Sequence, residues 1–297
     1  MNTKKLLLVI SFIPAMLIAQ DRFAMVFSEQ SYLINPSFTA INHGTRLTIG
    51  AGYQGIRDLN YGNFQIAGAK YLEYLNAGFG GYLINFKEGL MNHTIVSVQF
   101  SRFFNIYRAW NIGVGGAPEI HNLYVSNDKI ILASELNQQV GTVRNIPTIW
   151  TIALTSGISF FTENQTVGFA AFNIFNKKNF FQDSKKSLPQ YHFSYGGIYP
   201  LNRFTGKNNQ VTLRPHILVK YFNSSWTFFY GTFYGNPKLQ VGIFGGSTTQ
   251  KLLYGINPAI ILNRNSTKII LSFKFITAGL PLDYIYGNEV FMQWNFE

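Results

Sequence analysis

Five histidines are the side chains best suited to chemistry, and their spacing does not organise a catalytic or metal site. They are His43, His93, His121, His192 and His216. No two have the spacing of a metal-binding pair, and the chain has no cysteine. A hydrolase needs a serine and a carboxylate or amide around one histidine, and only His93 with Ser97 or Ser101 comes near this. Many serine-rich sheets offer such a pair, so we expect a hydrogen-bonding histidine and predict no catalytic residue, metal or cofactor.

The glycine-rich run Gly113-Val114-Gly115-Gly116 has the composition of a phosphate-binding loop. No helix signal follows it, whereas a phosphate loop opens a helix. Glycine in such a place more often relieves crowding where strands curve. The run therefore indicates a curved sheet.

The composition requires apolar surface that does not face water. Charged residues make up 12% of the 297 residues and aromatic residues 16%, whereas a soluble domain carries about 25% charge. Polar and apolar residues alternate at short range. Leu47, Ile49 and Tyr53 fall on one face of the stretch 45–54, and Arg46 and Thr48 on the other, which is the period of a strand.

Comparable segments recur along the chain and predict about 14 strands, with 12 as the alternative. We place them at 45–54, 62–71, 77–86, 92–104, 109–121, 147–160, 164–175, 189–200, 210–222, 225–234, 238–247, 250–262, 267–277 and 288–296. A tilted membrane strand needs about 9–11 residues, and aromatic side chains at strand ends suit its two interfaces. Examples are Tyr53, Phe86, Trp110 and Trp226. The fold class is therefore all-β, a transmembrane antiparallel up-and-down β-barrel.

The connections support this fold and orient it. Membrane barrels alternate short periplasmic turns with longer outer loops. With the N-terminus in the periplasm, the long connections 123–146, 176–188 and 278–287 all follow odd-numbered strands. The connection 201–209 is long for a periplasmic turn. A soluble propeller or sandwich is the competing interpretation, but it requires more surface charge, and the chain shows no propeller-like repeat.

Three regions are expected along the chain. Residues 1–19 have the basic start and short apolar run of a signal peptide, with cleavage near Ala19. Residues 20–44 form a lead-in segment at the periplasmic mouth, and 45–297 form the outer-membrane barrel. The formal net charge of +11 suits anionic lipid or an acidic partner, since a secreted aromatic-rich β chain is a poor candidate for nucleic acid.

Basic side chains on the polar face of the strands are predicted to point into the lumen. They are Arg46, Arg214, His216, Lys220, Lys268 and Lys274. They could line an anion-selective passage or pair with acidic residues of other strands or of a plug. Pairing is favoured because unpaired buried charge is costly.

The barrel is expected to close between its first and last strands, with Thr45–Gln54 pairing with Glu289–Phe296. Pro215 lies within a predicted strand, where it removes a ladder donor, so we expect a bulge or kink there. The outer loop Asn127–Arg144 is long for a connection. It either contacts a partner outside the cell or only protects the rim.

The stretch Tyr32-Leu33-Ile34-Asn35-Pro36-Ser37-Phe38-Thr39-Ala40, with Arg46, Gly50 and Tyr53-Gln54 after it, resembles the opening of the PorP/SprF family. These are outer-membrane proteins of the type IX secretion system in the Bacteroidetes. The family motif is carried here by Asn35, Pro36, Arg46, Gly50 and Tyr53.

Further segments resemble the family in the same order along the chain. They are Gly78–Tyr82, Pro147, Val167–Phe169 with Asn173, Thr212–Pro215 with Lys220-Tyr221, and Gly287–Val290. The aromatic-rich phrase that the family carries before its last strand is present only as Asp283-Tyr284-Ile285-Tyr286, which leaves the subtype open.

The resemblance implies a protein that is not an enzyme. Family members help export proteins to the cell surface, or hold secreted adhesins there, including those used in gliding. They work with other outer-membrane and periplasmic parts of the secretion system. The expected partners are therefore a secreted cargo or adhesin protein, other type IX secretion components and outer-membrane lipid. A passive porin or transporter for small solutes is the alternative.

Overall fold

The fold is that of a computed structural model, which describes residues 31–56, 59–88, 91–125, 148–174, 188–201, 211–248, 251–264, 267–278 and 285–296. The chain begins there with a helix of four residues, α1 (Ser31–Ile34), and a 3-10 turn, Pro36–Phe38. A second 3-10 turn, Glu73–Leu75, joins two strands. The strands are β1 (Thr45–Ile56), β2 (Leu59–Leu72), β3 (Ala77–Glu88), β4 (Met91–Tyr107), β5 (Trp110–Val125), β6 (Ile149–Phe161), β7 (Gln165–Phe172), β8 (Gln190–Gly197), β9 (Tyr199–Pro200), β10 (Thr212–Phe222), β11 (Ser225–Gly235), β12 (Leu239–Thr248), β13 (Lys251–Arg264), β14 (Thr267–Ala278) and β15 (Ile285–Phe296).

The strands form one closed antiparallel barrel. Each pairs with the next along the chain, and the two-residue β9 continues β8 along β10. The last strand returns to the first, with Thr45 opposite Phe296 and Gly52 opposite Glu289. Counting β8 and β9 as one, the described part of the chain contributes fourteen barrel strands. The predicted fold class is confirmed.

Alternation along each strand divides the side chains between lipid and lumen. On β4, Ser97, Gln99 and Ser101 are buried, whereas Val98 and Phe100 are exposed on the outside. Successive side chains of a strand point to opposite faces, so one period-two pattern gives the wall an apolar outer surface and a polar inner one. Phe86, which we expected at an interface, is buried inside the lumen.

The two ends of the barrel differ in their connections. The chain enters β1 and leaves β15 at the end that also carries the connections 73–76, 108–109, 162–164, 201–211, 236–238 and 265–266; we call it the turn end. The opposite end, the loop end, carries 126–148, 173–189 and 279–284, together with four connections of two residues. Among the described residues, no helix is long and apolar enough to cross a membrane.

The bulge or kink expected at Pro215 is not in β10 itself, because the irregularity lies in the strand beside it, between β8 and β9. β10 pairs with β11 without a break, and Pro215 is opposite Thr232. On its other side β10 pairs with β8 from His216 onward and with β9 at Thr212 and Leu213. The missing donor of Pro215 therefore coincides with the register break between β8 and β9.

Several predictions fall outside the described residues. The signal peptide, residues 20–30 of the lead-in, and the loop Asn127–Arg144 all lie there. Of the lead-in, residues 31–44 are described. Asn42 and His43 are exposed, and Tyr32–Thr39 are buried inside the barrel. The lead-in thus reaches deeper than the sequence suggested.

A charge on the outer face tests the position of the membrane. Val98, near the middle of β4, is 49% exposed, and Tyr107, at the turn end of the same strand, is 62% exposed. Val98→Arg should lower the free energy of unfolding in lipid vesicles by about 2–4 kcal/mol, and Tyr107→Arg by about 0–1 kcal/mol, since the cost of a charge peaks at mid-bilayer. Urea titration of both variants, followed by tryptophan fluorescence, measures the difference. Equal losses would contradict the assigned depth.

Candidate functional site

The lumen is occupied by the chain's own residues 31–44, the lumen segment. It runs inward through α1, turns at the 3-10 helix and comes back to the turn end. Ser31 and Ala40 both line the same cavity at that end. Between them every residue from Tyr32 to Thr39 is buried. The segment is therefore a re-entrant loop packed against the inner wall.

Asn35 fixes the turn of this loop and ties it to the wall. Its Oδ1 accepts from the Ser37 amide at 2.9 Å and from the Ser37 hydroxyl at 2.7 Å, which caps the 3-10 turn. Its Nδ2 donates to the carbonyl oxygens of Ile158 on β6 and Phe169 on β7, both at 3.2 Å. Pro36 occupies the first position of the turn, where its missing amide costs nothing.

Glycines of the wall make room for this backbone. A Cβ atom added at Gly115 would lie 2.5 Å from backbone atoms of Pro36 and Ser37. Other wall glycines face the segment in the same way, where an added Cβ would clash with Asn35, Ser37, Phe38 or Thr39. They are Gly78, Gly80, Gly113, Gly157 and Gly168. We call these six residues the glycine bed. Two of them, Gly113 and Gly115, belong to the glycine-rich run 113–116, so contact with the lumen segment explains these two glycines.

The far side of the loop bonds to β1 and β4. Thr39 Oγ1 contacts Gln99 Oε1 at 3.1 Å, and Ser101 donates to the Thr39 carbonyl oxygen at 2.7 Å. Gln99 also donates to the Tyr32 carbonyl oxygen at 2.9 Å. The Tyr32 hydroxyl donates to Thr48 at 3.4 Å.

Apolar contacts extend across the lumen. Tyr32, Leu33 and Phe38 pack in a buried cluster completed by wall side chains, which are Ala67, Tyr82, Ile84, Phe86 and Ile95. On the other side Ile34 packs with Leu218 of β10 and Phe229 of β11. The Ile34 carbonyl oxygen lies 3.3 Å from Nδ1 of His192 on β8. One loop thus contacts strands on both sides of the barrel.

The predicted inward basic residues divide into two groups. Arg46, Arg214, His216 and Lys268 surround a cavity of about 330 Å³ at the turn end, next to the lumen segment. Among the described residues that line it none is acidic. A second cavity of about 590 Å³ shares Arg214 and His216 and includes Glu163. We call these two adjoining cavities the turn-end vestibule, and four of the six basic side chains predicted to point inward lie around it.

The other two basic residues are buried deeper. Lys274 Nζ lies 4.0 Å from Glu289 Oε2 on the adjacent strand and 4.5 Å from the centre of the Phe244 ring. Asn63 donates to the other oxygen of Glu289 at 3.1 Å. Lys220 is buried beside the Phe229 ring and opposite His192. For Lys274 the geometry is that of the second interpretation, pairing with an acidic residue of another strand.

His93 belongs to a polar chain nearer the loop end. Its Nε2 lies 3.2 Å from Nδ1 of His121, whose Nε2 lies 3.1 Å from Glu119 Oε2. Tyr82 and Thr155 donate to Glu119 Oε1, both at 2.9 Å. These side chains link four strands, β3 to β6, through one buried carboxylate, as lumen polar networks do when each member is satisfied.

The structure does not bring the two serines that we considered next to His93. Ser97 donates to the Pro118 carbonyl oxygen at 3.3 Å, and Ser101 donates to Thr39 of the lumen segment. Within the described residues no group of three or more histidine, cysteine, aspartate or glutamate side chains could hold a metal ion.

The residues named for barrel closure lie where the first strand meets the last, as do Arg46, Gly50 and Tyr53 of the family motif, whereas Asn35 and Pro36 of that motif lie in the lumen segment. Gln54 is opposite Gly287 in the same register that joins Thr45 to Phe296. The Arg46 guanidinium donates to Asn295 on β15 at 3.1 Å. A Cβ at Gly50 would collide with the Phe291 ring and the Gln65 amide. Tyr53 is exposed on the outer face.

A sequence profile of type IX secretion system membrane proteins, PorP/SprF, matches residues 18–286. The chain belongs to the PorP/SprF family. This match covers almost every strand described above, including the whole lumen segment and glycine bed. No curated protein matches the sequence.

Solved structures that resemble this PorP/SprF protein are outer-membrane barrels. The CymD monoaromatic hydrocarbon channel aligns with a TM-score of 0.55 and 8% identity over 90% of this chain and 92% of its own. A FadL homologue from Pseudomonas aeruginosa gives 0.55 and 10% over 95% and 99%. The Pseudomonas putida toluene transporter TodX gives 0.51 and 8% over 95% and 99%. At these identities the likeness concerns the fold alone.

The glycine bed is the functional feature that sequence reasoning missed. Its glycines were attributed to strand curvature because a lumen-facing glycine has no side-chain signal of its own. One signal was available: Gly113, Gly115, Gly157 and Gly168 fall on the lumen-facing positions of their strands. Gly116, the outward neighbour, has only the Thr155 carbonyl oxygen at 4.0 Å from an added Cβ.

Two adjacent glycines test the bed. Gly115→Ala should lower the free energy of unfolding by about 1–3 kcal/mol, because the new methyl group overpacks the backbone of Pro36 and Ser37. Gly116→Ala, the matched control, should change it by less than about 0.5 kcal/mol, as at an unconstrained surface position. Urea titration in detergent and protease cleavage within residues 31–44 report the effect. If both variants behave alike, the lumen segment does not press on β5.

Asn35 offers a sharper test of the bridge to β6 and β7. Asn35→Asp preserves the shape but replaces the amide that donates to two carbonyl oxygens with a second acceptor. It should cost about 1–3 kcal/mol or more, since a buried charge then faces unpaired acceptors. Asn35→Ala removes the same bonds without adding the charge and should be less damaging. At neutral pH the urea midpoint of Asn35→Asp should therefore lie below that of Asn35→Ala. A lower midpoint for Asn35→Ala would contradict the assigned hydrogen bonds.

Proposed function

We propose that this PorP/SprF chain is a non-enzymatic part of the type IX secretion system that binds a secreted protein and helps export it or holds it at the cell surface. A gliding adhesin is one such cargo. Membership of the family supports a role in this system. The barrel fold supports a position in the outer membrane, and the proposal includes removal of a signal peptide near Ala19, which rests on the sequence alone.

One observation carries the binding mechanism: the protein fills its own lumen. The buried residues Tyr32–Thr39 contact β1 and β4 on one side and β8, β10 and β11 on the other. A conducting barrel keeps a polar lumen filled with water. Here Lys274, deep in the lumen, pairs with Glu289 on the adjacent strand. A filled barrel serves best as a scaffold whose two ends bind partners.

The two ends offer different surfaces. The long connections gather at the loop end, which faces outward in a barrel whose termini are periplasmic. This end is the proposed contact for the secreted cargo, with Asn127–Arg144 as one part of it. The basic side chains of Arg46, Arg214 and Lys268 line the vestibule at the turn end, which is the periplasmic end in this proposal. This vestibule is the proposed contact for an acidic surface of the secretion machinery.

Outer-membrane lipid is the remaining partner. Exposed aromatic side chains at strand ends suit the interfacial girdles of a bilayer. Tyr107 and Trp110 lie at the turn end and Trp226 at the loop end, all exposed. These side chains support a barrel that sits in the membrane between two aromatic belts.

A gene deletion combined with conductance measurement tests this function. Deletion should remove at least one type IX cargo from the cell surface, and the wild-type gene should restore it. In planar bilayers the purified wild-type protein should give no stable ion channel, because the lumen segment occupies the pore. A variant with residues 31–39 replaced by a glycine–serine linker should conduct, which provides the positive control.

Normal surface delivery of every cargo in the deletion strain would refute the secretion role. Stable conductance by the wild-type protein, or uptake of a small solute that depends on it, would instead support the porin or transporter alternative.

A further inference from the structure

Two basic side chains lie on the membrane side of the wall, where most residues are apolar. Lys70 is exposed on the outer face of β2, in the same alternation as Ile66. Arg102 is exposed on the outer face of β4, in the same alternation as Phe100. Neither forms an ion pair with a described residue, including Glu73 in the connection between β2 and β3. We call Lys70 and Arg102 the outer basic pair.

Both members of the pair are level with the rim at the turn end. β2 ends at Leu72, soon after Lys70. Arg102 precedes Phe103, whose amide donates to the Asn76 carbonyl oxygen at 3.0 Å. The Asn76 side chain donates back to the Phe103 carbonyl oxygen at 2.8 Å. Because Asn76 belongs to the connection between β2 and β3, Arg102 lies at the height of that connection, and the β4–β5 hairpin extends beyond it.

This height decides what the pair can bind. A lysine or arginine on the lipid face of a barrel is costly at mid-bilayer and nearly free of cost at the interface. The interface is also the level at which lipid phosphates lie. The outer basic pair is therefore placed to meet headgroups and not the hydrocarbon.

The strands that carry the pair flank β3, which brings both side chains within reach of one ligand. Lys70 is opposite Phe79, and Arg102 is opposite Ala77, two residues away on the same face of β3. Two strand spacings and this offset place the Cα atoms of the pair about 12 Å apart. Both side chains are long enough to converge on one anionic group between them, and the planar guanidinium matches the geometry of a phosphate.

Aromatic side chains surround the pair with an apolar surface. Phe79 is 51% exposed, Phe100 47% and Phe104 46%. The guanidinium carbon of Arg102 lies 5.7 Å from the centre of the Phe104 ring. Phe104 is nearer the turn end than Arg102, so the charge is directed away from mid-membrane, as a snorkelling side chain is. This surface matches a ligand with a negative head at the rim and an apolar tail along the wall.

We propose that the outer basic pair binds the phosphate of an anionic phospholipid in the leaflet at the turn end. The Lys70 ammonium and the Arg102 guanidinium contact the phosphate, and the acyl chains lie along Phe79 and Phe100. In the proposed orientation this is the periplasmic leaflet. The site goes beyond the proposed function, since it assigns a lipid class and a position and needs only the barrel fold.

The surroundings of the pair favour lipid over a protein partner. The strands and connections that adjoin the pair, β1 to β5 with 73–76 and 108–109, belong to the described part of the chain at this end. No carboxylate among them forms an ion pair with Lys70 or Arg102. A protein would have to displace bilayer to reach this face of the wall, whereas lipid is in contact with it as soon as the barrel is inserted.

Native mass spectrometry of the purified protein tests the site with two lipids of the same acyl chains. Palmitoyl-oleoyl phosphatidylglycerol should bind about 25-fold more tightly than palmitoyl-oleoyl phosphatidylcholine, since each cation near an anionic headgroup contributes about fivefold. Lys70→Gln and Arg102→Gln should each lower the affinity for phosphatidylglycerol about fivefold and leave that for phosphatidylcholine unchanged. Glycerol phosphate, which has no acyl chains, should not compete.

Lys87→Gln is the matched control for charge. Lys87 is exposed on the outer face of β3 at the loop end, so its replacement removes the same charge from the same wall but from the other interface. This variant should keep the wild-type preference for phosphatidylglycerol. Gel mobility before and after heating shows that each variant is folded. Equal binding of the two lipids by the wild-type protein, or an equal loss in Lys70→Gln and Lys87→Gln, would overturn the proposal.

Photo-crosslinking in native outer membranes identifies the occupant. A benzophenone amino acid at position 79 should crosslink to phospholipid that is richer in anionic headgroups than the lipid captured by the same probe at Ile243. Ile243 is 62% exposed on β12 and has uncharged neighbours on both adjacent strands. Crosslinks from position 79 to a protein would refute a lipid site. A deletion strain that loses no cargo refutes the proposed function and leaves the lipid site standing, which separates the two failures.

Discussion

Backbone hydrogen bonding in a medium without water is the constraint on which the rest of this structure depends. In hydrocarbon each strand needs a partner on both sides, which only a closed sheet provides. The chain meets this condition by returning β15 to β1, with Thr45 opposite Phe296. Closure fixes which face of every strand is inside. It therefore decides that Arg46 and Thr48 face inward with the lumen segment, while Leu47 and Ile49 meet lipid.

Closure also creates an interior that has to be filled or left to water, and this chain fills it with its own residues. A fourteen-stranded wall leaves more space than its own side chains occupy, and wall glycines enlarge it locally so that a backbone can lie against the sheet. Asn35 then gives that backbone one position, since its amide bonds to the turn and to two strands at once. Wall residues such as Gln99 and Ser101 are thereby committed to holding the loop.

The sequence predicted the wall almost completely and the interior hardly at all. Period-two alternation located all fourteen strands because lipid and lumen impose opposite chemistry on neighbouring residues. The closing pair of strands and the inward face of Lys274 followed from the same rule. The lumen segment did not, because its contacts join residues far apart in sequence, such as Asn35 and Phe169. The pairing of Lys274 with Glu289 depends on register across strands, and a list of basic positions does not contain that information. The polar chain from His93 to Glu119 was missed for the same reason.

The lumen segment is tied to the wall at the short ladder between β6 and β7. β6 and β7 share six register pairs, from Ser156–Ala171 to Phe161–Thr166, and Asn35 bonds to both members of one pair within that short ladder. A short ladder has few hydrogen bonds that keep its two strands together. The bonds from Asn35 to both strands therefore have the largest effect there. The glycines that admit Asn35, Gly157 and Gly168, belong to the same two strands. The lumen segment therefore steadies the part of the wall where β6 and β7 share only six pairs.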